Sequence, residues 1–189
     1  MNSRRVVVTG IGAVSSIGNS VDAMWESLLA GKSGIGPVTK FDASAYRTRI
    51  AGEVRDLDVS KYMTEKEARR LDDFCLYAIA AGDEAMKDAG LGIDLRDGSL
   101  ADPNRVGSGI GGMRTMEEQC MKLLQQGPSK VSPFLIPMMI IDMASGSLSM
   151  RYGAKGPNHA VVSACSTASH SIGESYWMVK RGDADITVS

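Results

Sequence analysis

Cysteine is scarce in this 189-residue chain, and its three cysteines lie far apart, at Cys75, Cys120 and Cys165. Their number is odd, and no two of them form a Cys-x-x-Cys pair. This distribution excludes a disulfide framework and argues against a zinc site, because both need thiols in suitable pairs. We therefore predict no metal site and a reducing, cytoplasmic location.

The chain also lacks an excess of charge of either sign and lacks a long apolar run. Its 21 lysines and arginines nearly balance its 22 aspartates and glutamates, which leaves a formal net charge of -1. A nearly neutral chain has no general attraction for nucleic acid or for an anionic membrane. The longest apolar stretch, Phe134 to Ile141, is interrupted by Pro137 and falls short of the ~18 residues of a membrane span. We expect neither nucleic acid nor a membrane as partner.

Short runs of β-branched residues alternate with longer stretches of helical spacing. Such runs are typical of strands covered on both faces, and apolar residues three or four apart predict helices. The predicted strands cover residues 5–8, 106–110, 160–163 and 185–189, and the predicted helices cover 20–30, 64–89, 116–126, 133–150 and 166–181. A short hairpin is predicted near residues 50–57. This alternation favours a layered α/β fold with a mainly parallel sheet.

Two helix starts have specific capping signals. Ser20 is a good N-cap for the first helix because its hydroxyl can accept a hydrogen bond from a free N–H of the first turn. Thr64 and Glu67 have the spacing of a capping box. These signals fix where the two helices begin.

Cys165 lies where a predicted strand meets the start of a helix, in the segment Ser163-Ala164-Cys165-Ser166. The positive end of a helix can stabilise a thiolate, and its N–H groups can hold a developing oxyanion. This combination suits acyl transfer through a thioester. The alternative is that Cys165 is simply buried, since cysteine is among the most buried residue types. Cys75 and Cys120 lie within predicted helices, and we expect both in the core.

The chain has only two histidines, His159 and His170. His170 follows Cys165 by five residues on the same predicted helix, about 140° around its axis, so it is poorly placed to act as a general base on the thiol. His159 precedes Cys165 on the predicted strand. We predict structural roles for both histidines, through hydrogen bonds to the backbone.

Two glycine-rich segments do not predict a nucleotide cofactor. Gly10-Ile11-Gly12 is followed by Ser15, where a dinucleotide fingerprint has its third glycine or an alanine. The segment Ser108–Gly112 lacks the Lys-Ser/Thr ending of a P-loop. Tight turns explain both segments, and we expect no cofactor.

Basic residues concentrate at the start of the helix that follows Thr64. Lys66, Arg69 and Arg70 lie opposite its apolar stripe, and Lys130 could extend the group; we call these four residues the basic cluster. A solvated helix face is the usual explanation of such a group. On a nearly neutral protein, however, a compact basic patch would also suit an acidic partner.

Six motifs occur in order along the chain. They are Val6–Gly12, Ser108–Gly112, Ser132-Pro133-Phe134, Gly156-Pro157, Ala164-Cys165-Ser166 and Gly182-Asp183-Ala184-Asp185. Taken together, they resemble the N-terminal half of a β-ketoacyl-acyl-carrier-protein synthase of the elongating type II kind. The resemblance implies a thiolase-like α/β fold, in which two duplicated halves form five αβαβα layers. It also implies a homodimer, and it makes residues 1–189 the N-terminal β-ketoacyl synthase domain.

The resemblance also implies roles for individual residues. Cys165 would accept the acyl chain from acyl carrier protein, with its backbone N–H in the oxyanion hole. Malonyl-carrier protein would then be decarboxylated, and its carbanion would attack the acyl thioester. Ile110 and Phe134 match positions that line the acyl pocket. The basic cluster, Lys66, Arg69, Arg70 and Lys130, matches the positions that dock the acidic carrier protein.

The family's two catalytic histidines, its lysine and its gating phenylalanine belong to the C-terminal half, which we expect to be absent from this chain. We therefore expect the nucleophile-bearing half of a longer synthase, inactive in condensation by itself. Two alternatives remain, another thiolase-fold acyltransferase and a non-catalytic dimerisation module. The sequence of the second half would test the first, and alkylation of Cys165 would test the second.

Overall fold

The computed structural model describes residues 4–92 and 106–189. Seven α-helices and two short strands are found in these ranges. The helices are α1 (Val21–Leu29), α2 (Glu65–Ala68), α3 (Asp73–Asp88), α4 (Met113–Gln126), α5 (Leu135–Met139), α6 (Met143–Tyr152) and α7 (Thr167–Arg181). The strands are β1 (Ile35–Pro37) and β2 (Ile50–Gly52). Short 3-10 turns cover Val59–Lys61, Pro128–Lys130 and Ala164–Ser166.

The predicted caps are confirmed at both helix starts. Ser20 is the N-cap of α1, and its hydroxyl accepts a hydrogen bond of 3.2 Å from the Ala23 N–H. At α2, the Glu67 carboxylate accepts from the Thr64 N–H at 2.8 Å, while the Thr64 hydroxyl accepts from the Glu67 N–H at 3.3 Å. These caps need only neighbouring residues, which is why the sequence predicts them well.

The single helix predicted over residues 64–89 is instead two helices, α2 and α3. Helix α2 ends at Ala68. A turn follows, and the backbone is extended at Asp72 (φ -83°, ψ 160°), which makes no side-chain cap with α3. Its carboxylate bonds to the first turn of α4 instead. The prediction of one helix is corrected because this tertiary contact outweighs the local periodicity.

The helix predicted over residues 133–150 is likewise divided, into α5 and α6. Ile140 takes an extended conformation (φ -68°, ψ 140°) between them. The Met139 carbonyl oxygen at the end of α5 accepts a hydrogen bond of 2.9 Å from the Gly112 N–H. The prediction over 116–126 is confirmed, although α4 begins three residues earlier, at Met113.

Strand pairing differs most from the prediction. Within the described residues the hydrogen-bonded ladder is confined to β1 and β2, which pair antiparallel with Ile35 opposite Gly52. The described parts of the segments predicted as parallel strands form no strand, although Val188 is a single bridge residue. Val7 and Val8 are 54% and 77% exposed. Strand pairing depends on distant neighbours rather than on local composition, so the composition of these segments did not determine their pairing.

The glycine segment after residue 9 packs directly on α3. A Cβ at Gly10 or Gly12 would overlap the carbonyl oxygens of Ala85 or Ala81. Carboxylates of α3 then accept hydrogen bonds from this segment, Asp88 from the Ile11 N–H and Glu84 from the Ala13 N–H, each at 2.9 Å. The two glycines therefore allow the backbone to approach a helix closely.

The core lies between α3 and α6. Ile79, Met86, Leu148 and Tyr152 form its buried cluster. An ion pair also joins the two helices: the Arg151 Nε atom of α6 donates to Asp83 Oδ1 of α3 at 2.7 Å. The Tyr152 hydroxyl donates to the same oxygen at 3.1 Å. This packed pair of helices supports the segments described next.

Candidate functional site

Cys165 lies in the middle of the 3-10 turn Ala164–Ser166, which leads directly into α7. The turn begins at Ala164, whose φ of 50° is in the left-handed region that non-glycine residues rarely adopt. The Ser166 N–H donates to the Ser163 carbonyl oxygen at 3.1 Å and closes the turn. Cys165 is exposed. The turn therefore presents the thiol to solvent at the N-terminal end of a 15-residue helix.

Ser163 is held to α7 by both its backbone and its side chain. Its N–H donates to the buried Thr167 hydroxyl oxygen at 2.9 Å. Its own hydroxyl lies 2.6 Å from His170 Nδ1. The backbone partner predicted for His170 is therefore corrected to a serine side chain. His159 is half-buried in the segment before the turn.

Ile110 lies on a loop next to the Cys165 turn. Within this loop, a Cβ at Gly107 would overlap the Thr167 side chain, and one at Gly109 would lie 3.7 Å from the Ala164 carbonyl oxygen. The Ile110 side chain is 66% exposed. The structure thus brings the predicted pocket residue Ile110 beside the turn that carries Cys165.

Phe134 lies at the N-terminal end of α5, at the end opposite the Gly112 contact. The Phe134 side chain is exposed. The Arg70 guanidinium lies over its ring, with Cζ 4.7 Å from the ring centroid. This is the distance of a cation–π contact. It joins a residue predicted to line the acyl pocket to a residue of the basic cluster.

All four residues of the basic cluster are exposed. Lys66 lies in α2, Arg69 and Arg70 follow it directly, and Lys130 ends the 3-10 turn Pro128–Lys130. Arg69 forms an ion pair with Glu65 one helical turn earlier. The prediction that these side chains point away from the core is confirmed, and Arg69 is partly neutralised by its neighbour.

Asp72 is a residue of the site that the sequence reasoning missed. It is only 8% exposed, and its Oδ2 atom accepts hydrogen bonds from the Thr115 hydroxyl at 2.6 Å and the Thr115 N–H at 3.1 Å. Asp72 thereby caps α4 and fixes the Gly111–Gly112 corner that follows Ile110. A cleft of about 190 Å³ opens beside it, lined by Leu71 and Met138 among others. No local sequence signal marks a cap that acts on a different helix.

The other two cysteines differ from each other. Cys75 is fully buried, as predicted, and burial raises the pKa of its thiol to about 12, with the nearby Asp72 charge acting in the same direction. Cys120 was expected in the core but is exposed. The buried face of α4 carries Thr115 and Gln119 instead, which leaves Cys120 toward solvent.

No cluster of three or more histidine, cysteine, aspartate or glutamate residues within 4–92 and 106–189 could hold a metal ion. In the same part of the chain, no helix is both long and apolar enough to cross a membrane.

Curated relatives match nearly the whole chain. The 3-oxoacyl-[acyl-carrier-protein] synthase 2 of Staphylococcus aureus strain N315 is 48% identical over 189 residues, which cover 99% of this chain and 45% of that protein. The enzyme of the same name from Synechocystis sp. is 45% identical over 184 residues, which are 97% of this chain and 44% of that protein. The chain thus spans a little under half the length of these relatives.

Solved structures agree in fold. The ishigamide ketosynthase/chain length factor is 27% identical, with a TM-score of 0.88 over 98% of this chain and 46% of that chain. A β-ketoacyl synthase from Burkholderia phymatum STM815 has a TM-score of 0.81 at 23% identity, over 95% of this chain and 44% of that chain. These likenesses confirm the predicted thiolase-like α/β fold. The family model described as "Beta-ketoacyl synthase, N-terminal domain" matches residues 3–189, and the chain belongs to the β-ketoacyl synthase family.

Proposed function

We propose that residues 1–189 are the nucleophile-bearing N-terminal domain of a 3-oxoacyl-[acyl-carrier-protein] synthase. The observation that supports this most directly is the Cys165 turn, where an exposed thiol follows a left-handed Ala164 and precedes the first residue of α7. The names of the relatives indicate the acyl-carrier-protein thioester as substrate. The reaction is decarboxylative condensation in fatty acid elongation.

Cys165 accepts the acyl chain in this proposal. Its thiolate attacks the carbonyl carbon of the acyl thioester. When the tetrahedral intermediate collapses, the bond from that carbon to the carrier-protein sulfur breaks, and this sulfur leaves as a thiolate. The Ser166 and Thr167 N–H groups already donate to the carbonyl oxygens of Ser163 and Ala164. The first N–H groups of a helix have no partner within it, so we assign the Cys165 N–H to the oxyanion.

Ile110 and Phe134 bound the acyl pocket in this proposal. The contact between the Ile110 loop and the Cys165 turn supports the assignment of Ile110. Phe134 is assigned by family resemblance and lies under Arg70 of the basic cluster. An acyl chain carried on a docked protein would therefore meet the cluster and the pocket on neighbouring elements.

The carrier protein docks on the basic cluster in this proposal, and the synthase works as a cytoplasmic homodimer. The exposure of Lys66, Arg69, Arg70 and Lys130 supports the first statement, since exposed positive charges accelerate association with an acidic partner. No metal or cofactor takes part in the proposed acyl transfer.

The proposal is tested by β-ketoacyl product formation from acyl- and malonyl-carrier protein, using the natural full-length protein. Cys165→Ala should lower the rate by about a thousandfold or more, because the covalent step loses its nucleophile. Cys120→Ala is the matched control, since that thiol is also exposed but lies on α4, and its rate should be unchanged. Residues 1–189 alone should form no product. Full condensation by Cys165→Ala would contradict the proposal.

A further inference from the structure

We propose that His170 is a positioning residue that holds the Cys165 turn through Ser163. The inference rests on the proposed function only in taking Cys165 as the nucleophile. His170 lies five residues after Cys165 on α7, where its ring is directed to Ser163 rather than to the thiol. His170 contacts the turn at Ser163, which lies two residues before Cys165.

Three bonds fasten the segment that precedes the thiol. The Ser163 hydroxyl and His170 Nδ1 are 2.6 Å apart, the Ser163 N–H donates to Thr167 Oγ1 at 2.9 Å, and the Ser163 carbonyl oxygen accepts from the Ser166 N–H at 3.1 Å. Every polar group of Ser163 is therefore bonded to the turn or to α7. The His170 bond is the only one of the three that reaches beyond the first residue of the helix.

The backbone conformation of Ala164 explains why the hydrogen bonds of Ser163 are needed. Its φ of 50° is strained for a residue with a Cβ and persists only when the surroundings hold it. Ser163 precedes Ala164, and Cys165 follows it. If Ser163 were released, Ala164 could relax toward an ordinary conformation, and the Cys165 thiol would lose its alignment with the N-terminal end of α7.

His170 can make this bond in either protonation pattern of Nδ1. A neutral ring accepts from the Ser163 hydroxyl when Nδ1 is unprotonated, and donates to the hydroxyl oxygen when Nδ1 carries the proton. The role we assign is therefore one of geometry and not of proton transfer. An asparagine at position 170 could replace the bond, because its amide group lies close to where the imidazole Nδ1 lies.

The test is the rate at which iodoacetamide modifies Cys165 in the natural full-length protein, followed by peptide mass mapping. The variants are His170→Ala, Ser163→Ala, the double variant and His170→Asn. Each alanine variant should slow Cys165 modification by about 3- to 10-fold, the size expected from a weakened helix-end interaction. The double variant should be no slower than either single variant, because both remove the same bond. His170→Asn should restore the rate to within about twofold of the unsubstituted protein.

Two controls separate positioning from general destabilisation. Ser169→Ala changes the neighbouring exposed residue of α7 and should leave the rate unchanged. Modification of Cys120 in the same samples should also be unchanged, since that thiol lies on α4. A general loss of stability would lower the unfolding midpoint, but it would not slow the modification of Cys165 alone. A slower Cys165 rate with an unchanged Cys120 rate therefore indicates a local effect.

An unchanged Cys165 rate in Ser163→Ala would overturn the proposal, and so would additive effects in the double variant or an asparagine variant as slow as the alanine variant. If His170→Ala does not fold, Ser163→Ala and His170→Asn still decide, since the first should be slow and the second near normal. Acyl transfer is a separate readout. Failure of Cys165 to take an acyl group, with the alkylation pattern as expected, would count against the proposed function and leave the positioning role intact.

Discussion

At the scale of single residues, the cysteine thiol occurs in three different environments. Cys75 is sealed between helices, Cys120 is exposed along the side of α4, and Cys165 is exposed at the start of α7. The thiolate is the reactive form, so burial suppresses the reaction and a helix N-terminus favours it. All three residues are cysteines, so we expect their thiols to differ in reactivity because of where each lies in or before its helix.

We predict that limiting iodoacetamide near neutral pH modifies Cys165 first, Cys120 more slowly and Cys75 last. The Cys75 thiol, with its pKa raised to about 12 by burial, should react only as the protein unfolds. Peptide mass mapping over time gives all three rates from one sample. Faster modification of Cys75 or Cys120 than of Cys165 in folded protein would contradict the assignment.

At the scale of elements, the contact between α3 and α6 depends on a glycine. A Cβ at Gly82 would lie 2.6 Å from the Tyr152 hydroxyl oxygen and 2.8 Å from Leu148 Cδ2. Neither side chain can move easily, because Tyr152 and Leu148 are 0% and 1% exposed and the Tyr152 hydroxyl is bonded to Asp83. The helices therefore pack at a distance that only glycine allows.

We predict that Gly82→Ala lowers the free energy of unfolding by about 1–3 kcal/mol, since the overpacked contact outweighs the gain in helix propensity. Gly146→Ala is the matched control in α6, where the nearest atom to a new Cβ would be Met143 Sδ at 3.9 Å. It should raise the free energy of unfolding by roughly 0.5–1 kcal/mol. Urea unfolding measures both. Equal stability of the two variants would refute the packing argument.

Glu53 joins β2 to the segment after β1. Its carboxylate accepts hydrogen bonds from the Thr39 hydroxyl at 2.7 Å, the Thr39 N–H at 3.0 Å and the Lys40 N–H at 3.2 Å. These bonds, the Thr39 hydroxyl first, hold the pKa of Glu53 below its usual value. A carboxylate with a lowered pKa in the folded state adds stability above its unfolded pKa, and this stability is lost as the pH falls through the folded pKa.

We predict a steeper loss of stability below about pH 4.3, the unperturbed value for glutamate, in the unsubstituted protein than in Glu53→Gln. Urea unfolding between about pH 6 and pH 3 compares the two slopes. Glu26→Gln, at an exposed position of α1, is the control and should keep the original slope. An identical slope in Glu53→Gln would mean that this carboxylate does not contribute to acid sensitivity.

Local signals in the sequence correctly predicted where helices start. They did not predict the helix breaks that depend on contacts between residues distant in sequence. The caps at Ser20 and Thr64 involve residues three positions apart, so they could be predicted. The break before α3 depends on Asp72 reaching Thr115, 43 residues away. The candidate site shows the same division. The helix start after Cys165 was predicted, whereas the left-handed Ala164 and the bond between Ser163 and His170 have no sequence signature.

At the scale of the whole molecule, a formal net charge of -1 makes the basic cluster a local feature on a nearly neutral protein. We predict that Arg69→Glu with Arg70→Glu weakens association with acyl carrier protein about tenfold or more at low salt, and that the loss shrinks as salt screens both surfaces. The Arg70 change also removes the cation over the Phe134 ring. Binding is measured on the natural full-length protein across a salt series.

The matched control for this variant is Arg47→Glu with Arg49→Glu, which reverses two exposed charges between β1 and β2. It changes net charge by the same amount, so an effect confined to Arg69 and Arg70 would locate the docking surface. If both double variants bind equally well at low salt, the basic cluster is an ordinary solvated helix face.

The central claim is that Cys165 carries the acyl chain. The most direct measurement is to incubate the natural full-length protein with a saturated acyl-carrier protein, without malonyl-carrier protein, and to map the acyl group by peptide mass. We predict one acyl thioester, on the peptide that contains Cys165, which hydroxylamine removes and which is absent from Cys165→Ala but unchanged in Cys120→Ala. An acyl group on Cys120 or on any other residue, or undiminished acylation of Cys165→Ala, would contradict the account.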